Sequence, residues 1–472
     1  MRLSILAALL AGLLATAPAH ARTTAPDPWE AKAREILARS VAFRSTASHK
    51  ETPQLVAYLA GEFRAAGVPE GALTILPVKD TAAMVVRIAG RDRSRKPILF
   101  SAHLDVVEAN PADWARDPFT LIEEGGFFFG RGSLDDKAGV AQLATLIIRM
   151  ARERLVPSRD LVFAFIGDEE TTMDTTRLLA GPRRDLIEAE FALNADAGGG
   201  LLDEATGRPV IYYIQGGEKT YSDFILTVSN PGGHSSAPRA DNAIYTLAAA
   251  LRRIEAHRFP VMSNDLTLST MRAEGRLRSD EVGRAMAAFA ASPGDGPAAE
   301  RLSREPSLVG QLRTTCVATM LLAGHAPNAL PQSASANVNC RIWPGVGVEA
   351  TRRELERIVA DPAVAIRAET AGSIESPASP PRADVEQAVR RALAASGWGA
   401  VPIAYEQSNG ATDGSHYRAA GIPTYGVTLL FMKDSDQFAH GLNERVPVES
   451  FDRATRGWWE LVKTLADPRP AR

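Results

Sequence analysis

The sequence predicts an α/β fold in two parts: a mostly parallel sheet with helices on both faces, interrupted by a smaller α+β domain of ferredoxin-like order. Three observations predict it. The 472 residues exceed the usual single domain by roughly two- to threefold. From Ala31 to Leu186, short apolar runs alternate with amphipathic helical segments, the signature of β-α units. After Gly198-Gly199-Gly200 the texture changes to alternating, half-exposed strands. With 45% hydrophobic and 23% charged residues, the chain carries enough apolar surface for large cores. Lys+Arg 53 against Asp+Glu 56 gives a net charge of −3, so no bulk basic field attracts nucleic acid or anionic lipid.

Residues 1–21 read as a signal peptide. Arg2 supplies the positive start, Leu3 to Ala15 is apolar, and Ala19-His20-Ala21 resembles a cleavage site. The other reading is a buried first helix or an uncleaved anchor. No later stretch reaches 18 uninterrupted apolar residues. The expectation is a periplasmic or secreted protein with no membrane attachment once the leader is removed.

The larger domain is expected to occupy residues 22–215 and 374–472, with the smaller one at 216–373 between them. In the first part, Lys96 to His103 reads as a strand, Lys137 to Arg154 as a helix, and Asp160 to Ile166 and Phe191 to Asp196 as strands. In the smaller domain Thr220 to Ser229, Arg313 to Leu322, Ser333 to Ile342 and Val364 to Glu369 read as strands. Asp241 to His257 and Val348 to Val359 read as helices, which completes a β-α-β-β-α-β order. Residues 260–312 form an Ala-rich insert, expected to be short helices. The proline-rich stretch Ser373 to Pro381 reads as the return linker, and Glu449 to Leu465 as a closing helix. Cys316 and Cys340 are compatible with a disulfide or with two buried thiols.

In open parallel sheets, ligands bind outside the carboxyl ends of the strands, so polar residues there draw attention. His103 and Asp105 stand two apart in Ser101-Ala-His-Leu-Asp-Val-Val, where an extended chain puts both on one face. Asp135 and Asp136 follow a glycine-bearing loop, Gly130-Arg-Gly-Ser-Leu, directly before a helix. Aspartates there serve equally well as an ordinary helix cap. Glu169 and Glu170 follow an apolar run, and adjacent carboxylates allow one to bind metal while its neighbour carries a proton. A solvated acidic turn is the plainer alternative. Asp196 closes a further strand, and His440 lies in Ala439-His-Gly-Leu-Asn-Glu-Arg-Val446.

Taken together, in this order and over nearly the whole chain, these motifs resemble the co-catalytic dizinc exopeptidase and deacylase family. That family includes glutamate carboxypeptidase, succinyl-diaminopimelate desuccinylase, aminoacylase and carnosine-type dipeptidases. The resemblance implies one zinc held by His103 and Asp196, a second by Glu170 and His440, and Asp135 bridging both. It makes Asp105 the residue that steadies His103, Glu169 the general base, and the Asp135–Asp136 peptide cis. Two Zn²⁺ against three carboxylates leave a surplus positive charge, an electrostatic reason for the site to deprotonate water. Mn²⁺ or Co²⁺ suits the same donors.

The resemblance also makes the smaller domain a lid and dimerisation domain, so a homodimer is expected. Within it, His234 of Asn230-Pro-Gly-Gly-His-Ser-Ser is implied to stabilise the oxyanion, and Asn328 and Arg341 to hold the substrate's carboxylate. The implied activity is cleavage of an amide in dipeptides or at the end of short peptides, or else in N-acyl amino acids. Asp at 196 is closer to the family's dipeptidases and aminopeptidases than to its deacylases. An inactive peptide-binding relative would be expected to have lost a ligand or the base, and none is missing. Neither G-x-S-x-G nor H-E-x-x-H occurs, which removes the serine-nucleophile and thermolysin-like alternatives.

Overall fold

The computed structural model describes residues 27–294, 296–370 and 373–470, so the leader lies outside the described residues. The larger sheet has ten strands. Its centre is parallel: Leu161–Ile166, Ile98–His103, Phe191–Asn194 and Thr424–Gly426 lie side by side in that order. Leu73–Val78 and Thr81–Ile88 extend one side and Pro209–Glu218 and Gly199–Leu202 the other, all in antiparallel pairings, which makes the whole sheet mixed. Ile98–His103 and Leu161–Ile166 are buried at every residue, as strands covered on both faces must be. Met84, Phe100, Phe163 and Phe165 point to the face covered by Pro28–Ala42, Thr52–Ala66, Lys137–Arg152 and Val448–Ala466. Val85, Leu99, Val162 and Ala164 point to the opposite face, against Leu179, Ile187, Tyr417 and Ile422.

At Lys219 the chain passes from the larger sheet into a four-stranded antiparallel one. Its order is Thr315–Ala323, Ser333–Ile342, Thr220–Ser229, Val364–Glu369, the ferredoxin-like arrangement. Ala243–Ala256 and Val348–Val359 cover one face. The first of these helices starts later than its periodicity implies, because the Asn242 side chain caps it by accepting from the backbone of Ile244 and Tyr245. Cys316 and Cys340 are register partners on adjacent strands and form a disulfide.

The insert is helical, with Asp265–Leu277, Glu281–Ala291, Gly296–Leu302 and Pro306–Val309. By sequence position it falls within residues 216–373, yet it packs on strand Ile403–Ser408 of the larger sheet. The reason is specific contact: Leu266 enters the main core, and Thr270 Oγ1 donates to the Tyr405 carbonyl at 3.0 Å. Tyr405 N–H donates to Ser269 Oγ at 3.0 Å, and Asn264 Nδ2 to Gln407 Oε1 at 2.6 Å. Among the described residues, no helix is long and apolar enough to cross a membrane.

Candidate active site

Parallel pairing sets His103 opposite Ile166 and Ser101 opposite Asn194, so three strand ends stop at one level. His103, the Gly167–Glu170 turn and Asp196 therefore converge although they are far apart in sequence. The loop before helix Lys137–Arg152 brings Asp135 among them. The Asp135–Asp136 peptide is cis. Close packing of the helix start needs a glycine at 139, since a Cβ there would lie 2.3 Å from Asp136 Oδ1 and 2.7 Å from Ala195 Cβ. His440 arrives on a separate loop in the left-handed backbone region, at φ 63°.

Asp135 presents one carboxylate oxygen to each histidine. Its Oδ1 is 2.8 Å from His103 Nε2, and its Oδ2 is 3.1 Å from His440 Nε2. His103 Nε2 also lies 3.6 Å from Asp196 Oδ1, and His440 Nε2 lies 2.8 Å from Glu170 Oε1. The five expected ligands thus form two nests that share Asp135.

The hydrogen bonding shows that this donor set fits cations. His103 Nδ1 meets the backbone carbonyl of Asp105 at 3.0 Å, and a carbonyl only accepts, so Nδ1 carries the ring proton. In its neutral form His103 would direct the Nε2 lone pair at the Asp135 and Asp196 carboxylates, which are themselves acceptors. A positive ion between them removes the conflict. Candidate ligand atoms of His103, Asp135 and Glu170 lie within 4.8 Å of one another, as do those of His103, Asp136 and Asp196. Asp136 Oδ2 accepts the His103 N–H at 3.2 Å, which gives that carboxylate a backbone partner of its own.

Asp105 does more than face the imidazole. Its carboxylate stands 3.6 Å from His103 Nδ1, and it accepts the backbone N–H groups of Glu169 and Glu170, each at 3.0 Å. It therefore fixes the turn that carries both glutamates. The Glu169 side chain makes no hydrogen bond to a described residue. Burial, with the nearby charges of Asp196, Asp413 and Glu170, pushes its carboxyl up, while His103 pulls the other way.

His234, Asn328 and Arg341 stand apart from this cluster. Gly233–His234 pairs with Ala329–Leu330, and Ser235 N–H donates to the Asn328 carbonyl at 3.1 Å, so His234 and Asn328 share one ribbon. His234 is exposed, with Nδ1 2.7 Å from Ser236 Oγ. Arg341 stacks on Tyr221 and donates to the Asn409 carbonyl at 3.3 Å. No described hydrogen bond or ion pair joins these three to the five ligands.

Arg131 and Glu444 escaped the sequence reading. They form a buried ion pair at 2.6 Å. Glu444 Oε1 accepts the N–H groups of Leu134 and Asp135, each at 3.0 Å, while Arg131 donates to the His440 carbonyl at 3.2 Å. The pair thus ties the Asp135 loop to the His440 loop across 313 residues of sequence. Both lie inside the motif loops, but nothing in one sequence says that they meet.

The profile of peptidase family M20/M25/M40 matches residues 99–464. The chain belongs to that family. Human N-fatty-acyl-amino acid synthase/hydrolase PM20D1 is 28% identical over 386 residues, covering 80% of this chain and 75% of that protein. A probable carboxypeptidase S-like 2 of Dictyostelium discoideum is 28% identical over 395 residues, covering 81% and 74%. In structure, the M20 family metallo-carboxypeptidase Sso-CP2 of Sulfolobus solfataricus superposes with a TM-score of 0.68 over 92% of this chain and 98% of that one, at 17% identity. This M20/M25/M40 member is accordingly a metal-dependent amide hydrolase of the metallopeptidase kind.

His416, on helix Gly414–Ala419, is buried in this member of the family. Burial first, and then the charge of Arg177, hold its imidazole down to about 4. Between about pH 4 and 6.5 the unfolded chain therefore binds the proton that the fold refuses, and stability falls as pH falls through that window. Replacement His416→Gln should abolish this contribution. In urea unfolding, the variant should gain about 2 kcal/mol on the parent between about pH 7.5 and pH 5. A difference that stays constant with pH would contradict the assignment.

Proposed function

We propose that the protein is a dizinc exopeptidase that cleaves dipeptides or releases a terminal residue from short peptides. The observation that carries this reading is the Asp135 carboxylate, turned with one oxygen to His103 and the other to His440. His103 and Asp196 would hold one ion, Glu170 and His440 the other, with Asp135 shared. When bound, the two ions supply polarisation of the scissile carbonyl and acidification of water, and Mn²⁺ or Co²⁺ suits the same ligands.

The chain's own residues do the rest. Glu169 takes a proton from the attacking water and delivers it to the leaving amine nitrogen, so no covalent link to the enzyme is needed. His234 donates to the oxygen that becomes negative as the carbonyl carbon turns tetrahedral. Arg341, with Asn328, binds the substrate's free carboxylate.

His234 lies outside the ligand cluster, and this favours its service to a second copy. The edge strand Thr315–Ala323 supports a homodimer: Val317, Met320, Leu321 and Leu322 are all exposed on it. An apolar edge strand is a template for pairing with an identical edge. Replacing Leu321 by Glu should halve the mass measured by light scattering, and an unchanged mass would contradict this interface. Export to the periplasm or outside is our reading of the leader, and the Cys316–Cys340 disulfide agrees with an oxidising compartment.

N-acyl-amino-acid hydrolysis is the second reading, favoured by the human relative, an N-fatty-acyl-amino acid synthase/hydrolase. A competitive panel of dipeptides and N-acyl amino acids, assayed with zinc, manganese and cobalt, separates the two. Preferential dipeptide turnover is expected. Exclusive cleavage of N-acyl amino acids would establish the second reading, and no amide cleavage with any metal would overturn both.

A further inference from the structure

Beside Asp135 and Asp196 opens a cavity of about 570 Å³, large enough for a dipeptide-sized ligand. Part of its lining comes from the helical insert and from the strand on which the insert packs. Glu274 stands on helix Asp265–Leu277, Glu406 on strand Ile403–Ser408, and Gln311 just beyond the last insert helix. These groups are acceptors short of donors.

The Glu406 carboxylate makes no hydrogen bond or ion pair with a described residue. Gln311 Oε1 is buried and likewise unpartnered, its Nε2 being committed to the Gln407 carbonyl at 2.8 Å. Glu274 accepts from the Tyr213 hydroxyl at 2.9 Å. Arg278 also lines the cavity, but its guanidinium is turned to Asp280 at 2.7 and 3.2 Å. Burial, followed by the charge of Glu274, pushes the Glu406 carboxyl up to about 7. The fold alone therefore disfavours the ionised form of Glu406 and leaves it for a positive group to stabilise.

A bound metal ion does not account for these carboxylates. Among the described residues, groups of three ligand atoms within 4.8 Å of one another occur around His103, not around Glu274 and Glu406. Two carboxylates with no third metal donor grouped beside them suit an organic cation, which offers several N–H donors. A long hydrocarbon chain would instead desolvate each acceptor and give it no donor.

We infer that the insert builds a subsite for a substrate whose acyl part is positively charged, with an ammonium or guanidinium held by Glu274 and Glu406. This rests on the amide-hydrolase reading above, in which the substrate's carboxylate belongs to Arg341 and Asn328. Neither of those residues lines this cavity.

The test uses two near-isosteric pairs, lysyl-leucine against norleucyl-leucine and alanyl-leucine against isobutyryl-leucine. Binding to zinc-loaded Glu169→Ala chains is measured by calorimetry. The partner that carries the additional ammonium in at least one pair should bind about tenfold tighter or more. Adding Glu406→Gln together with Glu274→Gln should erase most of that preference, and these replacements keep side-chain shape while removing charges that repel in the fold. Equal or tighter binding of the partner with one ammonium fewer in both pairs would overturn the subsite, as would a preference that survives the double replacement. Turnover by the parent chain is read separately. A binding preference without hydrolysis of any of the four would support the subsite and overturn the dipeptide-cleaving reading.

Discussion

Glu169→Ala chains are expected to retain two metal ions each while turnover falls by about 10² to 10⁴-fold. The expectation follows from how the turn is held. Asp105 grips it through the backbone N–H groups of Glu169 and Glu170, so truncating the Glu169 side chain leaves Glu170 in place. The lost carboxylate has no hydrogen-bond partner in the described structure, so its removal orphans no buried donor. Elemental analysis and steady-state kinetics on the same preparation check both halves. Loss of metal would turn Glu169 into a ligand, and near-normal turnover would remove it from proton transfer.

Asp135→Ala should have the opposite signature: both ions are lost, and activity falls with them. Among the described residues, Asp135 is the side chain paired with both histidines, at 2.8 and 3.1 Å. Without it, His103 keeps Asp196 on its side and His440 keeps Glu170 on the other, and each nest falls to two protein ligands. The backbone of residue 135 still donates to Glu444, so the loop remains tethered and the loss is one of ligation. A variant that keeps two ions under dialysis would show that each nest is complete without a shared carboxylate.

Much of this site was legible before any coordinates. His103, Glu170 and Asp196 draw attention because they stand just past apolar strand runs, where a parallel sheet gathers its chemistry, but each motif alone is ambiguous. His440 and Asp135 became meaningful only through the ordered resemblance, since neither loop has a periodicity of its own. The strands of the smaller sheet were plain from alternation, and Thr220–Ser229, Ser333–Ile342 and Val364–Glu369 fall where the pattern predicts.

What stayed hidden is what depends on long-range pairing. The Arg131–Glu444 pair spans 313 residues, and each member alone reads as a loop charge. The insert's amphipathic helices advertise an apolar face but not its partner. Only Leu266 seated in the main core shows that they cover the larger sheet and wall the cavity. The Asp105 carboxylate stands 3.6 Å from the imidazole beside which it was expected, and it also accepts two backbone N–H groups, which residue spacing does not encode.

The metal content of active, dialysed protein tests the central claim most directly. Two equivalents of transition metal per chain are predicted, removed by a chelator together with activity and restored together on adding zinc. Hydrolysis that persists after complete chelation, or full activity with a single equivalent bound, would contradict a centre built by Asp135 between His103 and His440.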